Sequence, residues 1–209
     1  MLYPRPVQDL IDLFAKFPGI GPRQAARFAF FLLRDATSLV PLLKSSLDDI
    51  EKSVAFCKEC FRATEKNGTP LLCAFCRDSK RNASLIAVVE KESDMQNIEK
   101  TGAFRGRYHI LGGTISTLDP ESPKRLHLRE LHARVSKALK DMPETEVILA
   151  TAATSEGDMT ALYIERVLSP LKNGNPKLKL TRLGRGLSAG SELEYADDQT
   201  LRNALKNRG

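Results

Sequence analysis

The sequence predicts an α+β chain built in parts: a small all-helical N-terminal region, a four-cysteine metal-binding insert, and an α/β domain with a mostly parallel sheet. Three observations carry this. Residues 7–54 show helical apolar spacing, all four cysteines fall within twenty residues, and from residue 84 continuous apolar runs alternate with helical stripes. The 209 residues, 42% hydrophobic and 28% charged, suffice for one or two packed domains and exclude a disordered or collagen-like chain.

The first helix is drawn by Leu10, Ile11, Leu13, Phe14 and Phe17 over residues 7–17, with Pro18 as its stop. The second, 22–33, is apolar almost all round, so it is expected to bury one side locally and offer the other to a partner such as a second subunit. A third follows from Leu39, Leu43, Leu47, Ile50 and Val54, with Ser38 as its expected N-cap. Beyond the cysteines, strands are expected at 85–89, 108–111, 147–150 and 178–183. The runs 93–100, 126–139, 159–168 and 198–206 read as helices. The expected division is 1–55, 56–82, 83–180 and 181–209.

No apolar run reaches the roughly 18–20 residues of a membrane span, and the N-terminal residues lack a signal pattern, so the expected compartment is the cytoplasm. A net charge of +6 permits a nucleic-acid partner without requiring one. The excess leans toward residues 1–83, where 13 Lys and Arg face 9 Asp and Glu.

Between the first two helices stands Phe17-Pro18-Gly19-Ile20-Gly21-Pro22-Arg23. Gly19 and Gly21 are expected at positive φ, leaving backbone N–H groups open to a phosphate oxygen at a helix N-terminus. Ile20 would plug the core, and Arg23 and Arg27, one turn apart, would flank the same phosphate path. This turn resembles a helix-hairpin-helix, a sequence-independent binder of the DNA backbone; an ordinary helix turn with two exposed arginines is the alternative.

Cys57-x-x-Cys60, twelve residues, then Cys73-x-x-Cys76 gives two pairs of thiolates with the spacing of one tetrahedral Zn²⁺ site. Four protein ligands leave no position for water, so the expected role is structural. Two disulfides are the alternative, disfavoured without a secretion signal.

Glu90 ends the 85–89 strand, and Glu156-Gly157-Asp158 follows the 147–150 strand and opens a helix. In a parallel sheet these acids lie at the carboxyl ends of strands, where α/β sheets build their sites. They are therefore candidates for Mg²⁺ or for a basic partner. The alternative is that Glu90 is a polar strand end and that Glu156 and Asp158 favour the helix N-terminus. The glycine-dense 184–191 run does not match a Walker A loop and reads as a surface loop. His109, His127 and His132 have no ligand partner at motif spacing and are expected to be structural.

Taken in order, the 10–23 segment Leu-Ile-Asp-Leu-Phe-Ala-Lys-Phe-Pro-Gly-Ile-Gly-Pro-Arg, the four cysteines, Val88-Val89-Glu90, the 101–109 segment Thr-Gly-Ala-Phe-Arg-Gly-Arg-Tyr-His, the 146–151 segment and Gly186-Leu187 through Asp197 resemble the bacterial RecR family of recombination mediators end to end. The resemblance implies a Toprim domain after the cysteines and a Walker-B-like C-terminal segment. It places Arg23 and Arg27 on basic DNA-contacting positions, the four cysteines on zinc ligands, and Glu90, Glu156 and Asp158 on Toprim acids. It further implies a non-enzymatic, nucleoid-associated DNA clamp, dimeric or tetrameric, that partners RecO and RecF. Such a clamp helps load RecA on gaps covered by single-strand-binding protein. The chain departs from the family at Ala152-Ala153-Thr154, where Asn-Pro-Thr is usual, and at Gly186-Leu187-Ser188, where Gly-Leu-Pro is usual. A Mg²⁺-dependent nuclease or phosphotransferase built on Glu90, Glu156 and Asp158 stands as the alternative function.

Overall fold

The computed structural model describes residues 3–173 and 175–208, and the chain falls into two compact units, Met1–Val54 and Ala55–Gly209.

The first unit is helical: α1 (Arg5–Phe14), α2 (Pro22–Arg34) and α3 (Leu39–Ser53). α1 stops three residues short of its expected end. Lys16 and Phe17 close tighter turns on the Leu13 and Phe14 carbonyls, because Pro18 disfavours helical backbone at Phe17. α1 and α2 close on a small centre of Ile11, Ala25 and Ala29, with Val7, Leu10, Phe14 and Ile20 packed around it. Ile20 thus plugs this core, as its place between two glycines predicts. Elsewhere on α2, Phe28, Phe30, Phe31 and Leu33 are exposed, although Phe28 meets Phe14 and Phe30 meets Tyr3 edge-on. No described residue of α3 is buried. Ser38 does not cap α3; its backbone is already helical and its hydroxyl is turned back to Asp35.

The second unit opens with a small hairpin, β1 (Val54–Phe56) paired to β2 (Ala63–Glu65), whose first residue belongs to the end of the first unit. A short helix, α4 (Ala74–Arg77), follows. The sheet then forms from β3 (Asn82–Val89), β4 (Gly106–Ile110), β5 (Thr145–Ala150) and β6 (Leu178–Arg182), in the order β4-β3-β5-β6 and parallel throughout.

The continuous apolar run of β3 is explained by burial on both faces. Ile86 and Val88 join the core closed by α6 (Leu128–Asp141) and α7 (Ser155–Lys172), where Leu131, Val135, Leu139, Ile164 and Leu168 form the helical stripes. Ala87 and Val89 face the opposite layer, with Met95 of α5 (Glu92–Lys100), Tyr108, Ile110 and Phe75. The chain ends in α8 (Asp198–Lys206), capped by Asp197, whose carboxylate accepts from the Thr200 N–H at 2.9 Å.

The chain crosses from β3 to β4 on one side and from β5 to β6 on the other. The strand order therefore reverses between β3 and β5, and the crevice at their carboxyl ends is where such sheets place ligands. Val89 pairs with Ala150 there, which sets Glu90 beside the loop entering α7.

Candidate functional site

Three groups of residues carry chemistry, and the first is the turn between α1 and α2. Gly19 takes φ +76°, a left-handed conformation that favours glycine, while the Ile20 N–H returns to the Phe17 carbonyl at 3.1 Å. Gly21 differs from expectation. It is extended, with φ −80° and ψ 167°, because it serves as the N-cap of α2, its carbonyl accepting from Ala25 N–H at 2.9 Å. One left-handed residue is enough to reverse the chain here. A Cβ built on either glycine would meet nothing within 4 Å, and neither N–H finds an acceptor among the described residues. The turn therefore presents bare backbone donors at the positive end of α2. Arg23 and Arg27 both stand exposed, Arg27 reaching only the Gln24 side chain at 3.3 Å.

The second group is the cysteine cluster. Cys57, Cys60, Cys73 and Cys76 are all buried, unpaired by disulfides, and bring their sulfurs within 4.8 Å of one another. A regular tetrahedron with metal–sulfur bonds of about 2.3 Å has edges of roughly 3.8 Å, so the cluster has the size of one Zn²⁺ site. The backbone builds the two knuckles. Phe61 takes φ 64° so that its N–H reaches the Cys57 carbonyl at 3.0 Å, and Cys73 N–H donates to the Cys57 sulfur at 3.3 Å. Hydrogen bonds from the neighbouring cysteines push the Cys57 thiol down, and the same neighbours push Cys60 and Cys76 up. Four thiolates crowded together repel, and a bound dication is what lets all four ionise.

This lobe rests on the sheet through contacts that no motif announced. Phe61 stacks on His127, with ring centroids 3.8 Å apart, and meets His109 edge-on at 5.5 Å. Arg134 donates to the carbonyls of Glu59 at 3.1 Å and Tyr108 at 2.6 Å. Ile110 N–H donates to the Cys60 carbonyl at 2.9 Å. His109 and His127 are structural, as expected from their isolation: His109 Nε2 donates to the His127 carbonyl at 2.9 Å and His127 Nδ1 to the Ile110 carbonyl at 3.0 Å.

The third group is the acids at the carboxyl ends of β3 and β5. Glu90 is buried and accepts from the Ala152 N–H at 3.0 Å; burial pushes its carboxyl above the ordinary range. Glu156 and Asp158 occupy the first turn of α7, capped by the Thr154 hydroxyl, which accepts from Gly157 N–H at 3.1 Å. Gly157 is required for packing, since a Cβ there would lie 2.1 Å from the Ala152 carbonyl oxygen. The Ala152-Ala153-Thr154 variant of the loop therefore still closes onto both Glu90 and α7.

The three acids do not gather as metal ligands. Among the described residues, the cysteines are the one group of three or more His, Cys, Asp or Glu side chains placed so that they could hold a metal ion together. Asp158 is instead held by Arg185, at 3.1 and 2.5 Å, and by Arg182 at 3.3 Å. The Arg185 guanidinium keeps the Asp158 carboxyl below its usual range. Of the three acids expected to converge, Glu90 thus accepts a backbone donor, Asp158 pairs with arginines and Glu156 stands exposed. The Arg185 contact crosses 27 residues and carried no sequence signal beyond the arginine in a glycine-rich loop.

A helical hairpin domain, a four-cysteine metal lobe and a Toprim-type parallel sheet in succession define a nucleic-acid-handling class of protein. Family models agree in the same order: "RecR, helix-hairpin-helix" matches residues 7–50, "Toprim domain" 84–184 and "RecR, C-terminal" 186–208. Proteins named Recombination protein RecR are 44% identical in a Nocardioides species, 43% in Frankia casuarinae and 41% in Mycobacterium tuberculosis, each over 99% of this chain and 98% of the relative. The chain belongs to the RecR family.

Proposed function

We propose that the chain is a non-enzymatic mediator of recombinational DNA repair, an oligomeric clamp that holds DNA by its phosphates. In this reading it works with RecO and RecF to load RecA on single-stranded gaps. The observation that carries the DNA reading is the α1–α2 turn: two glycines with open backbone N–H groups, a helix N-terminus, and the exposed pair Arg23 and Arg27. Those donors fit one phosphate and the arginines its neighbours, which gives affinity without base contacts. The metal of the cysteine lobe is zinc in this reading, bound by four thiolates and structural; the closed ligand set leaves it no position for substrate.

Clamp assembly is supported by the first unit's surface. About fifty residues bury few side chains of their own, and Leu13, Leu33, Leu43 and Leu47 line an open apolar groove between α1, α2 and α3. A domain that small needs further burial, and a second copy supplies it. A non-enzymatic role is supported by the Asp158 ion pairs, which engage the acid that metal-dependent phosphoryl chemistry would use.

Fluorescence anisotropy on gapped DNA tests the reading. Arg23→Glu with Arg27→Glu is expected to abolish retention while zinc content and oligomeric state stay unchanged. Removing one arginine at a time is expected to lower the salt slope by about 0.7–0.9. Wild-type affinity in the double variant would refute the assignment.

A further inference from the structure

The C-terminal segment, residues 186–208, contains no buried residue among those described; Leu193, Tyr195 and Leu205 are all exposed. A segment without a core of its own needs another anchor, and the hydrogen bonds converge on one residue. The Arg185 side chain forks onto both carboxylate oxygens of Asp158, while its carbonyl accepts from Asn207 Nδ2 at 2.8 Å. Arg185 therefore ties the first turn of α7 to the end of α8. Arg182, at the end of β6, reinforces the same acid twice, through the Asp158 carboxylate and through its backbone carbonyl at 3.3 Å, and reaches Glu165 at 3.8 Å. Gly186 lies against Ala204 of α8, where a Cβ would stand 3.7 Å from the Ala204 Cα.

We propose that Arg185, backed by Arg182, takes the cation position at the Toprim acid Asp158, so that this acid latches the chain's own C-terminal segment and does not hold a divalent metal. A planar guanidinium suits the role because it delivers two parallel N–H donors to one carboxylate, a fixed geometry that a hydrated Mg²⁺ would have to displace. Glu90, at the neighbouring strand end, is buried and accepts the Ala152 N–H on one carboxylate oxygen. The latch is partly solvent-exposed and ionic, so it is weakened by salt.

Hydrogen exchange on the zinc-loaded full chain tests the latch. Arg185→Ala and Asp158→Asn are each expected to speed exchange across 186–208 about threefold or more while the strands 82–89 and 145–150 stay protected. Wild-type protein moved from about 0.1 M to about 1 M salt is expected to shift the same way, which needs no variant. In parallel, Mn²⁺ titrated into the wild-type chain and followed by electron paramagnetic resonance is expected to show no binding that depends on Asp158. Unchanged exchange over 186–208 in Arg185→Ala, or a bound Mn²⁺ that Asp158→Asn removes, would overturn the proposal.

Discussion

Phe61 lies flat on the His127 ring, centroids 3.8 Å apart and planes within 16°, and so fastens the cysteine lobe to the domain that follows. The left-handed backbone that turns the first knuckle, φ 64° at Phe61, also aims this ring at His127. The turn that gathers the first two cysteines and the ring that docks the lobe thus share one residue. Removal of zinc by a chelator is expected to release the 56–78 lobe and uncover His109 and His127, seen as broadened, shifted histidine resonances and as proteolysis within 61–72. Phe61→Ala is expected to keep the metal but cost about 2–4 kcal/mol in urea denaturation, since a packed aromatic ring is lost from between two histidines. An unchanged midpoint would show that the stack does no structural service.

Glu90 accepts the Ala152 N–H from inside the fold. Glu90→Ala leaves that donor unpaired and is expected to cost about 1–3 kcal/mol, whereas Glu90→Gln, whose Oε1 accepts the same bond, costs less. Urea denaturation with and without Mg²⁺ separates this from a metal-ligand role: the structural account predicts the same ranking and no Mg²⁺ effect. Equal losses for Gln and Ala that appear only with Mg²⁺ would contradict it.

His109 gives the fold a pH dependence of known sign. Burial, with Arg134 and His127 facing the ring, pulls it down to about 3, so it is neutral in the folded chain. In the unfolded chain it protonates near 6.5. The unfolded state thus binds more protons between these values. The stability due to neutral His109 is complete above about pH 6.5 and falls as pH drops toward 3, with a limiting slope of about 1.4 kcal/mol per pH unit. Denaturation midpoints across pH 7 to about 5 are expected to fall less steeply in His109→Gln than in wild type. Parallel curves would rule the histidine out.

Periodicity and spacing made much of this architecture legible. The 85–89 and 147–150 runs are strands because apolar side chains are needed on both faces of a covered sheet, and that requirement is written locally. The cysteines reveal themselves because a tetrahedral ion fixes the spacing of its ligands. What stayed hidden depends on residues far apart in the chain. Nothing near Asp158 announces Arg185, and nothing near Phe61 announces His127, so the ion pair at this acid and the ring stack at the lobe appear only in the fold. Gly21 shows a smaller version of the same limit: its helix-capping role, set by where α2 begins, overrode the left-handed conformation that a glycine permits.

The most direct measurement of the central claim is a mobility shift of zinc-loaded protein on labelled gapped duplex with Mg²⁺, run native and then denaturing from the same tubes. A non-enzymatic clamp predicts salt-sensitive retention in the native gel and an intact labelled strand in the denaturing one, with retention lost in the Arg23→Glu, Arg27→Glu variant. Shortening or extension of the labelled strand that disappears in Asp158→Ala would contradict it and make the Toprim acids catalytic.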